Sequence, residues 1–185
     1  MQVEKPFVLI VNGSPHLGGQ TDFLTTMVCE GVSSVPGVDH QVLFLRDAQL
    51  PEFDGTLSRD AQLGCEAVVG MVRRASGIIV VSPTYWFAPS SLVKKFIELI
   101  TCLDEDDYAL AGKVGGVLTC CEEDGASAAC MYLVYTLVMK GFTVPGHCGY
   151  FYNKGSAPTS ENNWQNTDHQ LVGKIVAEHI VILGE

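Results

Sequence analysis

The chain has no C-x-x-C pair, although its 185 residues include seven cysteines, at 29, 65, 102, 120, 121, 130 and 148. That absence excludes a zinc ribbon and a cysteine-ligated iron–sulfur cluster. The odd, scattered set reads instead as small apolar side chains in a reducing compartment. Cations are scarce as well: 11 Lys and Arg stand against 21 Asp and Glu, for a net charge of −10. Nucleic acid and anionic membrane surfaces select for the opposite balance, so neither is expected as a partner. No apolar run approaches the roughly 20 residues that a membrane span needs. The opening MQVEKPF lacks a basic region and a small-residue cleavage site, and the expectation is a cytoplasmic protein. The acidic run 104–107 reads as a solvated loop, because four consecutive carboxylates cannot all turn to one cation, and no metal is expected. The five histidines, at 16, 40, 147, 169 and 179, fall in separate elements with no nucleophile motif beside them. A hydrolase has little support.

What is present is concentrated first in residues 7–21, FVLIVNGSPHLGGQT. The β-branched and apolar run Val8, Leu9, Ile10, Val11 stops at Asn12-Gly13, and a helical pattern opens near Thr21 after a short loop. A helix starting there turns its unpaired N–H groups back into the loop, where they and the dipole favour an anion. Ser14, Gln20 and Thr21 add side-chain donors, and the glycines let backbone approach a ligand. An ordinary turn with an N-cap threonine is the plainer alternative. The P-loop pattern is absent from this loop, and Gly112-Lys113 does not supply it, since Val114 follows and Asp107 stands where the first glycine belongs. The dinucleotide fingerprint fails too, with Ser14-Pro15 directly after Gly13. A hydroxyl-rich loop suited to one terminal phosphate remains, which fits a mononucleotide cofactor.

The elements alternate along one domain, 1–185. Strands are expected at 6–12, 38–45, 78–81 and 114–119, with a fifth starting at 142–144. Helices are expected at 21–34, 58–75, from Ser90 onward, at 127–139, and at 167–183, with 46–55 a loop and 145–163 turn-rich. Leu92, Phe96, Leu99, Ile100 and Leu103 share one face of the third helix. Five strands alternating with five helices specify a parallel sheet covered on both faces.

Ligands of such sheets bind outside the carboxyl ends of the strands, so the loops after strands one, three and four matter most. The second of these reads Pro83-Thr84-Tyr85-Trp86-Phe87-Ala88-Pro89. Three aromatics between two prolines suit a flat conjugated ligand, although aromatics also serve as core lids. The third, Cys120-Cys121-Glu122-Glu123-Asp124-Gly125, offers small residues for close approach. Its cysteines read as packing residues, since no resolving partner accompanies them.

With these loops in place, the chain resembles the NADPH-dependent FMN reductase family of flavodoxin-like proteins, near the branch holding the flavoprotein part of iron–sulfur flavoproteins. The family's first loop, G-S-P-R-x-x-G-N-T, here reads Gly13-Ser14-Pro15-His16-Leu17-Gly18-Gly19-Gln20-Thr21. Its second, T-P-x-Y-W before an amphipathic helix, here reads Ser82-Pro83-Thr84-Tyr85-Trp86. Lys113 and the stretch 141–145, GFTVP, also match family habits, and the likeness spans about 6–145. The resemblance implies a flavodoxin-like three-layer fold with a five-stranded parallel sheet in the order 2-1-3-4-5. It implies FMN as cofactor, with Ser14, His16, Gln20 and Thr21 on the phosphate and Pro83, Thr84, Tyr85 and Trp86 along the isoalloxazine. Thr119 and Cys120, where the fourth strand ends, would complete that site. His16 replaces the usual arginine, which would weaken phosphate binding or tie it to imidazole protonation, and Gln20 replaces asparagine. The cluster cysteines of the iron–sulfur branch are missing.

The implied activity is hydride transfer from NADPH or NADH to the flavin, and from there to a quinone, free flavin or similar small acceptor, with no separate catalytic acid or base. An electron carrier without its own nicotinamide chemistry, and a scaffold without cofactor, are the alternatives. Family habit also implies a homodimer or homotetramer. The aromatics of 148–152, CGYFY, expected in a turn-rich segment after the last strand, would then lie at a subunit boundary.

Overall fold

The computed structural model describes residues 5–53, 55, 65–104, 108–153 and 164–184. β1 (Phe7–Asn12) leads through the first loop to α1 (Gln20–Ser33), and β2 (Asp39–Phe44) runs into a short 3-10 turn, Leu45–Asp47. α2 (Glu66–Arg74) precedes β3 (Gly77–Tyr85), which folds back on the two-residue β4 (Ala88–Pro89). α3 (Ser91–Leu99) ends in the 3-10 turn Ile100–Leu103, and β5 (Val114–Cys121), α4 (Ala126–Met139), β6 (Gly149–Asn153) and α5 (Trp164–Gly184) follow. The part of the second expected helix at 56–64, and residues 105–107 of the acidic run, lie outside the described residues. Asp104 itself accepts an ion pair from Lys140 at 2.7 Å.

The sheet order is β2-β1-β3-β5-β6, every neighbour parallel, with β4 paired antiparallel to β3 alone. Leaving aside the hairpin, that is the expected 2-1-3-4-5. The period of two along each strand sorts the apolar runs into two cores. Leu9, Val11, Ile78 and Val80 pack under α2, α3 and α4, while Val8, Ile10, Ile79 and Val81 pack under α1 and α5. Lys113, directly before β5, donates to the carbonyls of Arg73 and Ala75 and so closes the end of α2.

The fifth strand of the sheet differs from expectation. Of 142–144 only Thr143 makes a bridge, to Val114, and the ladder with β5 is formed by Gly149–Asn153, inside the stretch read as turn-rich. Pro145 ends the first apolar run after three residues, whereas Tyr150-Phe151-Tyr152 alternates as a strand does. The aromatics are therefore not a separate segment beyond the sheet. Tyr150 and Tyr152 turn their rings onto His169 of α5, with centroids 5.3 and 5.7 Å away, and Phe151 faces out on the opposite side.

α1 and α5 meet backbone to backbone at two glycines. A Cβ on Gly31 would stand 2.0 Å from the Gln170 carbonyl oxygen, and one on Gly173 would stand 2.3 Å from that of Val28. Gly173→Ala should force the helices apart and cost about 1–3 kcal/mol, seen in urea as a lower midpoint with an unchanged slope.

His169 supplies a second test. It is 1% exposed and neither ring nitrogen has a hydrogen-bond partner. Burial pushes its pKa down to about 4, against a smaller upward pull from Asp168. The folded value lies below the unfolded one, near 6.5, so the unfolded chain takes up the proton first as pH falls. Stability should therefore drop as pH falls below about 6.5 and level off below the folded pKa, by about 3 kcal/mol at most. His169→Phe should remove this part of the loss when unfolding at pH 7 and pH 4.5 is compared.

Candidate functional site

The first loop is built around Asn12, which is wholly buried at the end of β1. Its Oδ1 accepts the Ser14 N–H at 2.9 Å, and its Nδ2 donates to Asp22 Oδ1 at 2.8 Å and to Thr25 Oγ1 at 2.9 Å. Asp22 Oδ2 in turn accepts the Gly18 N–H at 2.7 Å. Arg46, arriving from the end of β2, donates through Nη1 to Asp22 Oδ1 at 2.9 Å and to the His16 carbonyl at 3.1 Å. Its guanidinium also lies 4.3 Å above the Phe44 ring. Burial pushes the Asp22 carboxyl up, but the Gly18 N–H, Arg46 and Asn12 outweigh it and hold the pKa below the usual carboxylate value. Asp22 is thus an anion already neutralised by Arg46.

Within this frame the Ser14 hydroxyl accepts the His16 N–H at 3.1 Å, curling the loop, and Gly18 takes a left-handed φ of 68°. The N-cap of α1 is Gly19, and no side chain caps the helix. Thr21 is therefore not a cap. Its Oγ1 stands 3.5 Å from Cys120 Sγ instead. The first N–H groups of α1 lack intrahelical acceptors by geometry and sit at the end of the helix dipole, which favours a negative ligand.

A cavity of about 410 Å³ opens against these residues, within the range of small-ligand sites. Ser14, His16, Gly19, Gln20 and Thr21 form one wall, and Pro83, Thr84 and Tyr85 from the end of β3 form the second. Cys120, Cys121 and Glu122 from the end of β5 form the third. Eight of the ten residues expected at the site thus line one cavity.

Thr119 and Trp86 are not among them. Thr119 alternates to the other face of β5, where its Oγ1 donates to the Ala126 carbonyl at 2.6 Å. Trp86 and Phe87 form the tip of the β3–β4 hairpin, both with left-handed φ, 50° and 64°. That tip turns Trp86 outward, 95% exposed, over a neighbouring depression of about 430 Å³ that it shares with Phe87, Glu122, Glu123 and Asp124. The sequence alone gives no role to Asn12, Asp22 or Arg46, whereas Cys121 and Glu122 fall in the third loop it singles out. An acidic residue in the first helical turn was the available sign for Asp22, whereas nothing local marks Arg46.

The cavity is poor in charge. Burial pushes the Cys120 thiol up to about 11, with the Thr21 bond opposing, so it stays a neutral thiol at pH 7. Burial, Cys120 and Glu122 raise the Tyr85 phenol as well. Thr84 Oγ1 is buried in this region without a hydrogen-bond partner, an orphan that a ligand's polar edge would satisfy. Among the described residues no group of three metal-ligating side chains stands together, and no helix is long and apolar enough to cross a membrane.

The model of the NADPH-dependent FMN reductase family matches residues 6–155. No curated protein matches the sequence. Among solved structures, an oxidoreductase from Corynebacterium diphtheriae is similar with a TM-score of 0.74 at 16% identity, covering 97% of this chain and 99% of that one. A flavodoxin from the domain Archaea gives 0.67 at 18% identity over 95% and 99%. An FMN-dependent NADH-azoreductase from Bacillus anthracis, in complex with FMN, gives 0.64 at 15% identity over 97% and 100%. These likenesses carry the flavodoxin-like fold, and the match over most of the sequence goes further: this chain belongs to the NADPH-dependent FMN reductase family of oxidoreductases.

Proposed function

We propose that the chain is an FMN-dependent NAD(P)H oxidoreductase that passes electrons to a quinone, a free flavin or a similar small acceptor. The observation that carries this reading is the convergence of three strand-end loops on one charge-poor cavity beside the uncapped start of α1. The residues fit the cofactor: hydroxyl, amide and backbone donors gather on one side, and an orphaned Thr84 hydroxyl lies on the other. The chemistry such a cofactor would supply, held by Ser14, His16, Gln20 and Thr21 on one side and Pro83, Thr84 and Tyr85 on the other, is hydride uptake from a nicotinamide and electron transfer onward to the acceptor.

The chain's own part is position and dryness. Ser14, His16, Gln20 and Thr21 would hold the phosphate, with the first N–H groups of α1 behind them. Pro83, Thr84, Tyr85 and Cys120 would border the ring, and Trp86 would stand at the mouth rather than on the ring face. Arg46 acts as a positioning residue, since its guanidinium holds the His16 carbonyl and the Asp22 carboxylate that shape the loop. In this reading the working unit is a homodimer or homotetramer in the cytoplasm.

Mixing the FMN-loaded protein with NADPH or NADH without oxygen should bleach the absorbance near the flavin maximum. A yellow protein that resists both nucleotides would make the chain an electron carrier, and a protein that takes up no FMN would refute the reading.

Ser14→Ala and Thr21→Ala should each weaken FMN binding by about 1–3 kcal/mol, the cost of a phosphate contact left unmade. Titration followed by flavin fluorescence measures this, and unchanged affinity in both variants would remove the phosphate assignment.

A further inference from the structure

Beside the cavity lies the depression of about 430 Å³ at the β3–β4 hairpin tip. Thr84, Tyr85, Cys121 and Glu122 line both spaces, so a molecule in the depression reaches the edge of whatever fills the cavity. Its lining is of two kinds. One part is aromatic, with Trp86 95% and Phe87 60% exposed. The other is acidic: Glu122, Glu123 and Asp124 are all exposed, and no Lys or Arg is among the described residues of the lining.

The aromatic part is held in place. Phe87 packs over Gly125 at the head of α4, where a Cβ would stand 2.8 Å from its ring. The left-handed turn at 86 and 87 then carries the indole outward, although Trp ordinarily buries most of its surface. Asp124 is fixed too, since its Oδ1 accepts the Gly125 N–H at 2.7 Å. The dipole of α4 accounts for that carboxylate, but not for three in a row beside an open indole. Burial, Cys120 and then Glu122 raise the Tyr85 phenol, so the Glu122 charge is felt on the shared wall. In the same wall Thr84 Oγ1 is buried without a hydrogen-bond partner, a need that a ligand would meet.

We infer that the depression is the acceptor subsite of the proposed oxidoreductase, and that it selects a flat heteroaromatic cation of two or three rings. The inference rests on the proposed function and narrows its acceptor. An indole face with carboxylates beside it attracts an organic cation by cation–π contact and by Coulomb attraction. The space is within the range of small-ligand sites. The same carboxylates repel a sulfonated quinone, a flavin phosphate or the diphosphate of a nicotinamide nucleotide. The redox step balances with no further reagent. The acceptor takes a hydride equivalent, two electrons and one proton, from the reduced flavin, which returns to its oxidised state. The positive charge is thereby cancelled and the acceptor leaves as a neutral molecule. Because the carboxylates attract only the charged form, reduction itself loosens the complex.

Methylene blue, a phenothiazinium cation, is the probe, and polarisation of its fluorescence reads binding to the oxidised FMN-loaded protein and to the FMN-free chain. N-methylquinolinium should displace it, and anthraquinone sulfonate should not. Trp86→Ala should weaken dye binding about fivefold, the size of one cation–π contact. Glu123→Gln combined with Asp124→Asn should weaken it about three- to tenfold at low salt and less at high salt. The introduced asparagine keeps an acceptor for the Gly125 N–H, and an unchanged thermal transition shows that the variants fold. Without oxygen, the photoreduced FMN-loaded protein should decolourise the dye. Both variants should lower kcat/KM for the dye relative to a neutral naphthoquinone by the same factors. Dye binding that neither variant changes, or that the sulfonate displaces as well as the quinolinium does, overturns the cation site. A dye that binds but does not reoxidise the photoreduced flavin overturns the acceptor role. A flavin that no nicotinamide nucleotide reduces refutes the proposed function alone, because photoreduction needs none. A chain that takes up no FMN loses the proposed function and the acceptor role together, while dye binding still decides the cation site.

Discussion

The buried amide of Asn12 is the constraint on which the site depends. One wholly buried side chain must satisfy the Ser14 N–H, the Asp22 carboxylate and the Thr25 hydroxyl together. A buried amide left half-bonded costs about 1–3 kcal/mol, so the arrangement is kept whole or lost whole. It fixes where β1 stops and how α1 departs. Asp22 then carries the constraint outward to the Gly18 N–H, and Arg46 carries it to the His16 carbonyl. The loop is thereby held at its start, middle and end, and the uncapped head of α1 is left facing the cavity.

A second tie makes the three walls one object. Gly13 donates to the Val81 carbonyl at 2.8 Å, and a Cβ on it would stand 2.2 Å from a Val93 methyl. Glycine is required there by close approach rather than by φ. The Ser90 hydroxyl accepts the Val93 N–H as the N-cap of α3 and donates to the Gly13 carbonyl at 2.7 Å. The same serine therefore starts a helix and pins the first loop to the second. Thr21 against Cys120 joins the first wall to the third. Because the three walls are ends of neighbouring strands in register, packing of the two cores sets the width of the cavity.

Much of this was legible because the signal was local and periodic. Residues 8–11 and 78–81 alternate into two cores, and only a sheet covered on both faces allows such runs. The first loop was legible from its donors and its glycines. What escaped was set by partners distant in sequence. Arg46 lies 30 positions from the His16 carbonyl it holds. β6 looks like a turn, with Pro145, Gly146 and Gly149 in reach, and becomes a strand because β5 presents an open edge. Gly149 serves that pairing by clearing space, since a Cβ on it would stand 2.9 Å from Val134 of α4. Trp86 and Phe87 occupy a turn whose left-handed positions favour Gly or Asn, so nothing in their residue types marks the hairpin tip that turns Trp86 outward. Thr119 and Cys120 stand one step of the strand period apart, which sends the Thr119 hydroxyl to α4 and Cys120 to the cavity.

The electrostatics follow from the same frame. No Lys or Arg is among the described residues lining the cavity, and the one guanidinium behind the loop is engaged by Asp22 and a carbonyl. A phosphate there would be met by the helix dipole, backbone N–H groups and hydroxyls, with His16 the one side chain in the lining able to bring a positive charge. Neutral, oriented donors discriminate by geometry more than by charge, because each must be reached at hydrogen-bond distance. A chain with few cations to spend has placed Arg46 where it shapes the loop from behind. The anion preference then rests on the loop's shape, and the shape rests on Asn12.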